Sequence, residues 1–173
     1  MKNISFRYLP FFKAKPFNQI NLRTYVIRDG KPGVYFLSID SSHPSLSQMI
    51  KAVCDIPLTN SSINRIDEGL KTHIDSNRKG LEFYLNISRD ESRRLDVRPG
   101  SFEYWICERY CFFNTQQGQI MRWDIDHKAW PLFPATIHNL TLEHGTLNLN
   151  GEDFRNKCFY SPGVSTRAWP PAI

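Results

Sequence analysis

The chain has 173 residues, 40% of them apolar and 23% charged, the proportions of a single ordinary globular domain. Twelve Phe, seven Tyr and four Trp carry too much buriable surface for a disordered chain, and no apolar run approaches the ~20 residues of a membrane span. The net charge of +5 is unevenly placed: residues 1–28 hold six basic side chains and no acid, and the rest is close to neutral. The body therefore lacks the basic face expected of a nucleic-acid binder.

Residues 1–17 read as a basic, irregular lead-in, with Leu9-Pro10-Phe11-Phe12 too apolar for a free tail. Residues 18–173 read as one domain. Ile20–Arg28 alternates, placing Asn21, Arg23 and Tyr25 on one strand face and Leu22, Thr24 and Val26 on the other. Asp29-Gly30 is a hairpin turn, and the apolar Val34–Ile39 returns as a central strand. Ser41-Ser42 and Pro44 suit the start of a helix over 43–54, with Leu46, Met49, Ile50 and Val53 as its buried stripe. Residues 59–69 are ambiguous. Lys71–Asp75 and Leu81–Ser88 form a second hairpin, and Asp90–Gly100 is a charged loop. Ser101 caps a short helix expected to bury Phe102, Trp105 and Ile106. Tyr110–Phe113, Gly118–Ile125, Ala135–Glu143 and Lys157–Tyr160 read as strands. Many short strands, two helices and no βαβ rhythm predict an α+β protein. Its mainly antiparallel sheet is expected to curl or partly close into a barrel.

Chemical motifs are sparse. Cys54, Cys107, Cys111 and Cys158 form no C-x-x-C pair and no secretory signal opens the chain, so free thiols in a cytoplasmic protein are expected. The five His lack metal-ligand spacing, and neither a nucleophile elbow nor a phosphate loop occurs. Cofactors and metals are therefore not expected. One constellation stands out: Asn21, Arg23 and Tyr25 share a strand face, while Glu108, Arg109 and Tyr110 follow a helix. A polar row ending in Arg suits a carboxylate ligand. The same residues also suit an internal ion pair, with Glu108 as the first partner expected for Arg23 and Asp124 or Asp126 as the second.

Four stretches carry a family resemblance. They are Asn21–Val26 with Gly30–Asp40; Glu108–Phe113; His127–Leu132; and Tyr160–Val164 with Trp169-Pro170-Pro171. In order and spacing they resemble the YqjF-like family of uncharacterised bacterial proteins, distantly related to acetoacetate decarboxylase. The resemblance implies the decarboxylase fold, a cavity of small-molecule size, and family strands ahead of the Leu9-Pro10-Phe11 stretch that this chain lacks. The decarboxylase uses a lysine Schiff base activated by a neighbouring lysine. The corresponding positions here are Leu58 and Thr59, a supporting glutamate corresponds to Gln19, and the nearest other amine is Lys51 on the polar side of its helix.

The expectation is a small-molecule, carboxylate-binding or structural domain without Schiff-base activity, with Asn21, Arg23, Tyr25, Glu108, Tyr110 and His127 as ligand-binding candidates. One alternative is an enzyme of unknown reaction centred on Arg23, Glu108 and His127. Another is a partner-binding module that uses an exposed sheet edge. A homo-oligomer fits these readings; a membrane or nucleic-acid partner does not.

Overall fold

The computed structural model describes residues 4–6, 17–145, 149, 154 and 157–172, with backbone only at 4–6 and at Leu46. Its first strand, β1, is Ile4–Phe6, so part of the stretch expected to be irregular is extended. The Leu9–Phe12 stretch lies outside the described residues. Asp29 and Gly30 both take positive φ, 51° and 72°, as a two-residue hairpin turn requires. Around that turn β2 (Gln19–Arg28) and β3 (Lys31–Ser41) pair antiparallel. A bulge leaves Leu37 unopposed, because Leu22 faces Ser38 while Arg23 faces Phe36.

The chain then forms α1 (Pro44–Cys54) and returns as β4 (Leu58–Asn60), parallel to β3. This is a βαβ unit, against the expectation of none. With three residues, β4 is too short to leave a periodic signal. The helix start at Pro44 is as expected, but its buried stripe is rotated. Ser47 and Cys54 are buried and Ile50 packs on the core, whereas Val53 is 54% exposed. Ser47 tolerates burial because its hydroxyl donates to the His43 carbonyl at 2.8 Å.

The ambiguous stretch contains β5 (Ile63–Glu68), followed by the expected hairpin β6 (Lys71–Arg78) and β7 (Leu81–Arg89). Next come α2 (Phe102–Cys107), β8 (Cys111–Gln116), β9 (Gln119–His127), β10 (Phe133–His144), β11 (Phe159–Tyr160) and β12 (Thr166–Ala168). Ser101 caps α2 as expected, its hydroxyl accepting from the Tyr104 N–H at 3.1 Å. The stripe expected on α2 is not buried: Phe102 is 44% and Trp105 48% exposed. Among the described residues no helix is long and apolar enough to cross a membrane.

The chain divides into two units, each drawn from discontinuous segments. Met1–Asn60, Val97–Trp130 and Gly163–Ile173 make one; Ser61–Asp96 and Pro131–Pro162 make the other. Among the described residues the first holds a sheet in the order β1-β12-β9-β8-β3-β2, with β4 also on β3. β3 is central as expected, pairing β2 antiparallel and β8 and β4 parallel. The core of this unit joins Ile39, Cys54, Ile56, Leu58 and Trp123, with Phe36, Ile50, Phe112 and Met121 against them. Buried Asn114 ties the helix to the sheet: its amide N–H donates to the Cys54 carbonyl, and its oxygen accepts from the Trp123 indole at 2.8 Å.

The second unit is an antiparallel sheet, β11-β10-β7-β6-β5. Arg89 on β7 stacks on Tyr160, 4.4 Å from the ring centroid, and forms ion pairs with Asp67 and Glu91. It thereby ties three strands of that sheet or their flanks to one side chain.

Candidate functional site

In the first unit the end of α2 and the start of β8 gather most of the polar candidates. Glu108 caps α2, with its N–H donating to the Tyr104 carbonyl at 2.9 Å. Its carboxylate is buried at 6% exposure, and both oxygens are occupied. Oε1 accepts from the Trp130 backbone N–H at 3.1 Å, and Oε2 accepts from the Tyr110 hydroxyl at 2.5 Å. The Glu108 bond, followed by burial, pushes the Tyr110 phenol up to about 12.

His127 closes β9 beside this pair. Its ring stacks on Tyr110 at 4.8 Å between centroids and meets Trp130 edge-on at 5.6 Å. Nδ1 lies 2.9 Å from the Lys128 carbonyl and Nε2 lies 3.2 Å from the Arg109 carbonyl. Glu108 and His127 are thus joined through Tyr110, with no hydrogen bond between them, and the groups each would use for proton transfer are engaged by the fold.

A second cluster forms where β2 meets the C-terminal end of α2. The Ile106 carbonyl has no helical partner ahead of it and accepts from Arg23 Nη2 at 3.0 Å and from the Tyr25 hydroxyl at 3.2 Å. The expected carboxylate partner of Arg23 is therefore corrected. Arg23 is exposed and makes no ion pair among the described residues. Glu108 is spent on Trp130 and Tyr110, and Asp124 is held by Arg122 through bonds of 3.0 and 3.2 Å. The physical reason is position. β2 ends the sheet order, so the guanidinium stays in water and needs no counter-charge. Asn21 shares that strand face but joins neither cluster.

Arg109 links the two clusters, and the list of candidates drawn from the sequence omits it. The side chain is 7% exposed. Its guanidinium lies 5.2 Å from the Trp105 ring centroid and 5.6 Å from that of Tyr25, whose rings are 4.2 Å apart. Arg23 lies 5.5 Å from the same Tyr25 centroid. Nη1 of Arg109 donates to the Glu108 carbonyl at 3.1 Å, and Nε is buried with no acceptor. No carboxylate pairs with Arg109 among the described residues. The unpaired Nε–Nη2 edge is the one whose two parallel N–H groups suit a carboxylate.

Other chemistry finds less support. Burial pushes all four free thiols up, Cys54 to about 11, which disfavours the nucleophilic thiolate. Among the described residues no three His, Cys, Asp or Glu gather as metal ligands. A shallow cleft of about 460 Å³ lies between Tyr35, Phe36, Leu37, Lys51, Asp55, Ile56 and Pro57. Lys51 is exposed at its edge. Leu58 is packed into the apolar core, Thr59 is exposed, and the Gln19 amide oxygen is buried without a partner.

Comparison with solved structures places the fold. Acetoacetate decarboxylase from Legionella pneumophila subsp. pneumophila str. Philadelphia 1 superimposes with a TM-score of 0.51 at 11% identity, over 91% of this chain and 63% of that one. The enduracididine biosynthesis enzyme MppR, complexed with pyruvate, gives a TM-score of 0.47 at 10% identity, over 87% of this chain and 60% of that one. On the first of these superpositions, the strand-rich α+β architecture is the decarboxylase-like fold. In sequence, the uncharacterized protein YqjF of Bacillus subtilis (strain 168) is 30% identical over 152 residues, which are 84% of this chain and 63% of that protein. This chain therefore spans less than two thirds of the length of these relatives. Residues 1–165 match the model of DUF2071, described as an uncharacterized conserved protein, and with the YqjF match this establishes that the chain belongs to that family.

Proposed function

We propose that this domain binds a small carboxylate without covalent chemistry, with Arg109 as its anchor. The observation that supports this reading is the buried Arg109 guanidinium, whose Nε–Nη2 edge has no acceptor. An uncompensated buried charge is costly, and an anionic ligand is the partner that offsets it. Arg23 adds a second cation at the rim, on the same Tyr25 ring. Glu108, Tyr110 and His127 act in this reading as the frame that holds the Arg109 backbone, through Trp130 and the Arg109 carbonyl.

Lysine chemistry has no support at the positions the fold suggests. A Schiff-base amine needs a desolvating pocket or a neighbouring cation to lower its pKa, whereas Leu58 is core, Thr59 has no amine and Lys51 stands in water. Borohydride with acetoacetate is therefore expected to leave every lysine unmodified by mass spectrometry. A mass increment on one lysine, lost when a competing keto acid is added, would overturn that half of the proposal.

The other half is tested with Arg109→Met. Removing an unpaired buried charge is expected to leave the denaturation midpoint unchanged or higher, while the stabilisation that added acetate gives the wild-type domain disappears. A variant that melts far earlier and keeps its acetate response would show that Arg109 only braces the fold.

A further inference from the structure

The two edges of the second unit's sheet differ. β11 has two residues, too few to template another strand. β5 has six, Ile63–Glu68, and among the described residues no strand lies beyond it. Every residue from Asn64 to Glu68 is exposed, Ile66 at 55%. Alternate residues of β5 turn their N–H and C=O groups away from β6, so the outer side is a row of backbone donors and acceptors. Proteins usually blunt such an edge with Pro, Lys or a bulge. β5 contains neither residue, and its pairing with β6 runs from Ile63 to Glu68 without a register shift. It carries Arg65 and Asp67 on one face and Ile66 on the other.

We propose that this edge pairs with the β5 edge of a second copy of the chain, antiparallel about a two-fold axis through Ile66. In a two-fold antiparallel ladder, residues opposite each other lie on the same face, so one residue at the centre always faces its own copy. Centring on Arg65 or on Asp67 sets like charges directly opposite. Centring on Asn64 sets Ile66 against Ser62 and Arg65 against Ile63. Centring on Ile66 sets that side chain against its copy, Arg65 against the copy's Asp67, and Asn64 against the copy's Glu68. Of these registers, the last joins opposite charges and covers the exposed isoleucine together. Arg65 already donates from Nε and Nη2 to Asp67 of its own strand, at 3.0 and 3.2 Å. In the dimer two such pairs face each other in reversed order, and each guanidinium gains a second carboxylate. Exposed ion pairs contribute little affinity, so they fix the register, while backbone bonds and the Ile66 contact hold the copies together. One six-residue edge is smaller than a standard interface, so the dimer dissociates on dilution.

The experiment is sedimentation velocity of the whole chain over a wide concentration range. A monomer is expected to pass into a dimer, with the β5 amides gaining protection from hydrogen exchange as it does. Ile66→Lys sets two like charges opposite each other and should weaken the dimer by about tenfold or more, without lowering the melting temperature of the monomer. Arg65→Asp alone and Asp67→Arg alone each oppose like charges and should stay monomeric over the same range. Mixed in equal amounts, they restore opposite charges at both positions and should form a heterodimer. Asp67 also accepts from Thr72 and pairs with Arg89, so if Asp67→Arg fails to fold, Ile66→Lys decides alone. A chain that stays monomeric at every concentration, or a dimer that Ile66→Lys leaves intact, overturns the proposal. Two folded charge variants that stay monomeric when mixed overturn the pairing centred on Ile66.

Discussion

Glu108 shows how one buried side chain can look catalytic and act as a joint. Its two oxygens take one donor from Trp130, just after β9, and one from Tyr110, just before β8, so the carboxylate holds two segments together. Truncation to alanine leaves the Trp130 N–H without an acceptor and frees the Tyr110 hydroxyl, which is half exposed and turns to water. Hydrogen bonds to a charged acceptor contribute about 1.5–3 kcal/mol, so Glu108→Ala should cost about 2–3 kcal/mol in a urea melt, and Glu108→Gln about half of that. Tyr110 carries the pH signature of the same joint. The folded phenol is held up to about 12, against ~10 in an unfolded chain. The stabilisation from this bond is therefore complete below pH ~10 and fades as the pH rises toward 12. In a spectrophotometric alkaline titration, Tyr110→Phe should remove a late-titrating phenol, and Glu108→Gln should bring that phenol down toward its ordinary value. Sequence reasoning singled out Glu108, Tyr110 and His127 because polar residues grouped near a helix end are visible as letters. It named Arg109 beside them but not among the ligand-binding candidates, because what distinguishes that residue is a missing partner, which becomes evident only once its surroundings are folded.

Among the elements, β3 is the most constrained. It pairs with β2, β4 and β8, and at Gly33 the neighbouring strand comes so close that a Cβ would stand 2.6 Å from a Phe113 ring carbon and 2.8 Å from Cys111 Sγ. Both neighbours are buried, so neither can swing away. Gly33→Ala should cost about 1–3 kcal/mol by overpacking, read from a denaturant midpoint, even though alanine suits a strand better than glycine does. The hairpin that contains Gly33 was legible in the sequence. Asp29-Gly30 dictates the turn, and alternation over Ile20–Arg28 dictates which residues share a face. The orientation of α1 was not. Leu46, Met49, Ile50 and Val53 form a good apolar stripe, but Asn114 holds the end of the helix and turns Ser47 and Cys54 inward. A long-range contact to a strand sixty residues away leaves no local pattern. The α2 stripe failed for a related reason. That helix is fixed through its terminal carbonyl and its cap, so its aromatic side is not what anchors it.

At the scale of the whole chain, the α+β character and the decarboxylase-like fold were both readable, the first from strand count and the second from four spaced motifs. The division into two units was not. Its boundaries at Ser61, Val97, Pro131 and Gly163 fall where composition does not change, because each unit is assembled from separate pieces of chain and no linker has to exist. The same separation kept the parallel pairing of β3 with β8 out of reach, since strands so far apart in sequence carry no shared periodic signal.

The pairing of β1 with β12 has a consequence for the order of assembly. Ile4–Phe6 hydrogen-bonds to Thr166–Ala168, and β12 in turn pairs β9. During synthesis β1 leaves the ribosome before every other described strand, and its partner strand follows only after nearly all of the described chain has been made. Hairpins such as β2–β3 and β6–β7 can close as they emerge, at the small entropic cost of short loops. The β1 edge must wait, and among the described strand pairings it closes the widest separation in sequence. The first unit is thus finished late, after the second has received its strands, and nascent chains stalled before Thr166 carry a sheet with its far edge unpaired.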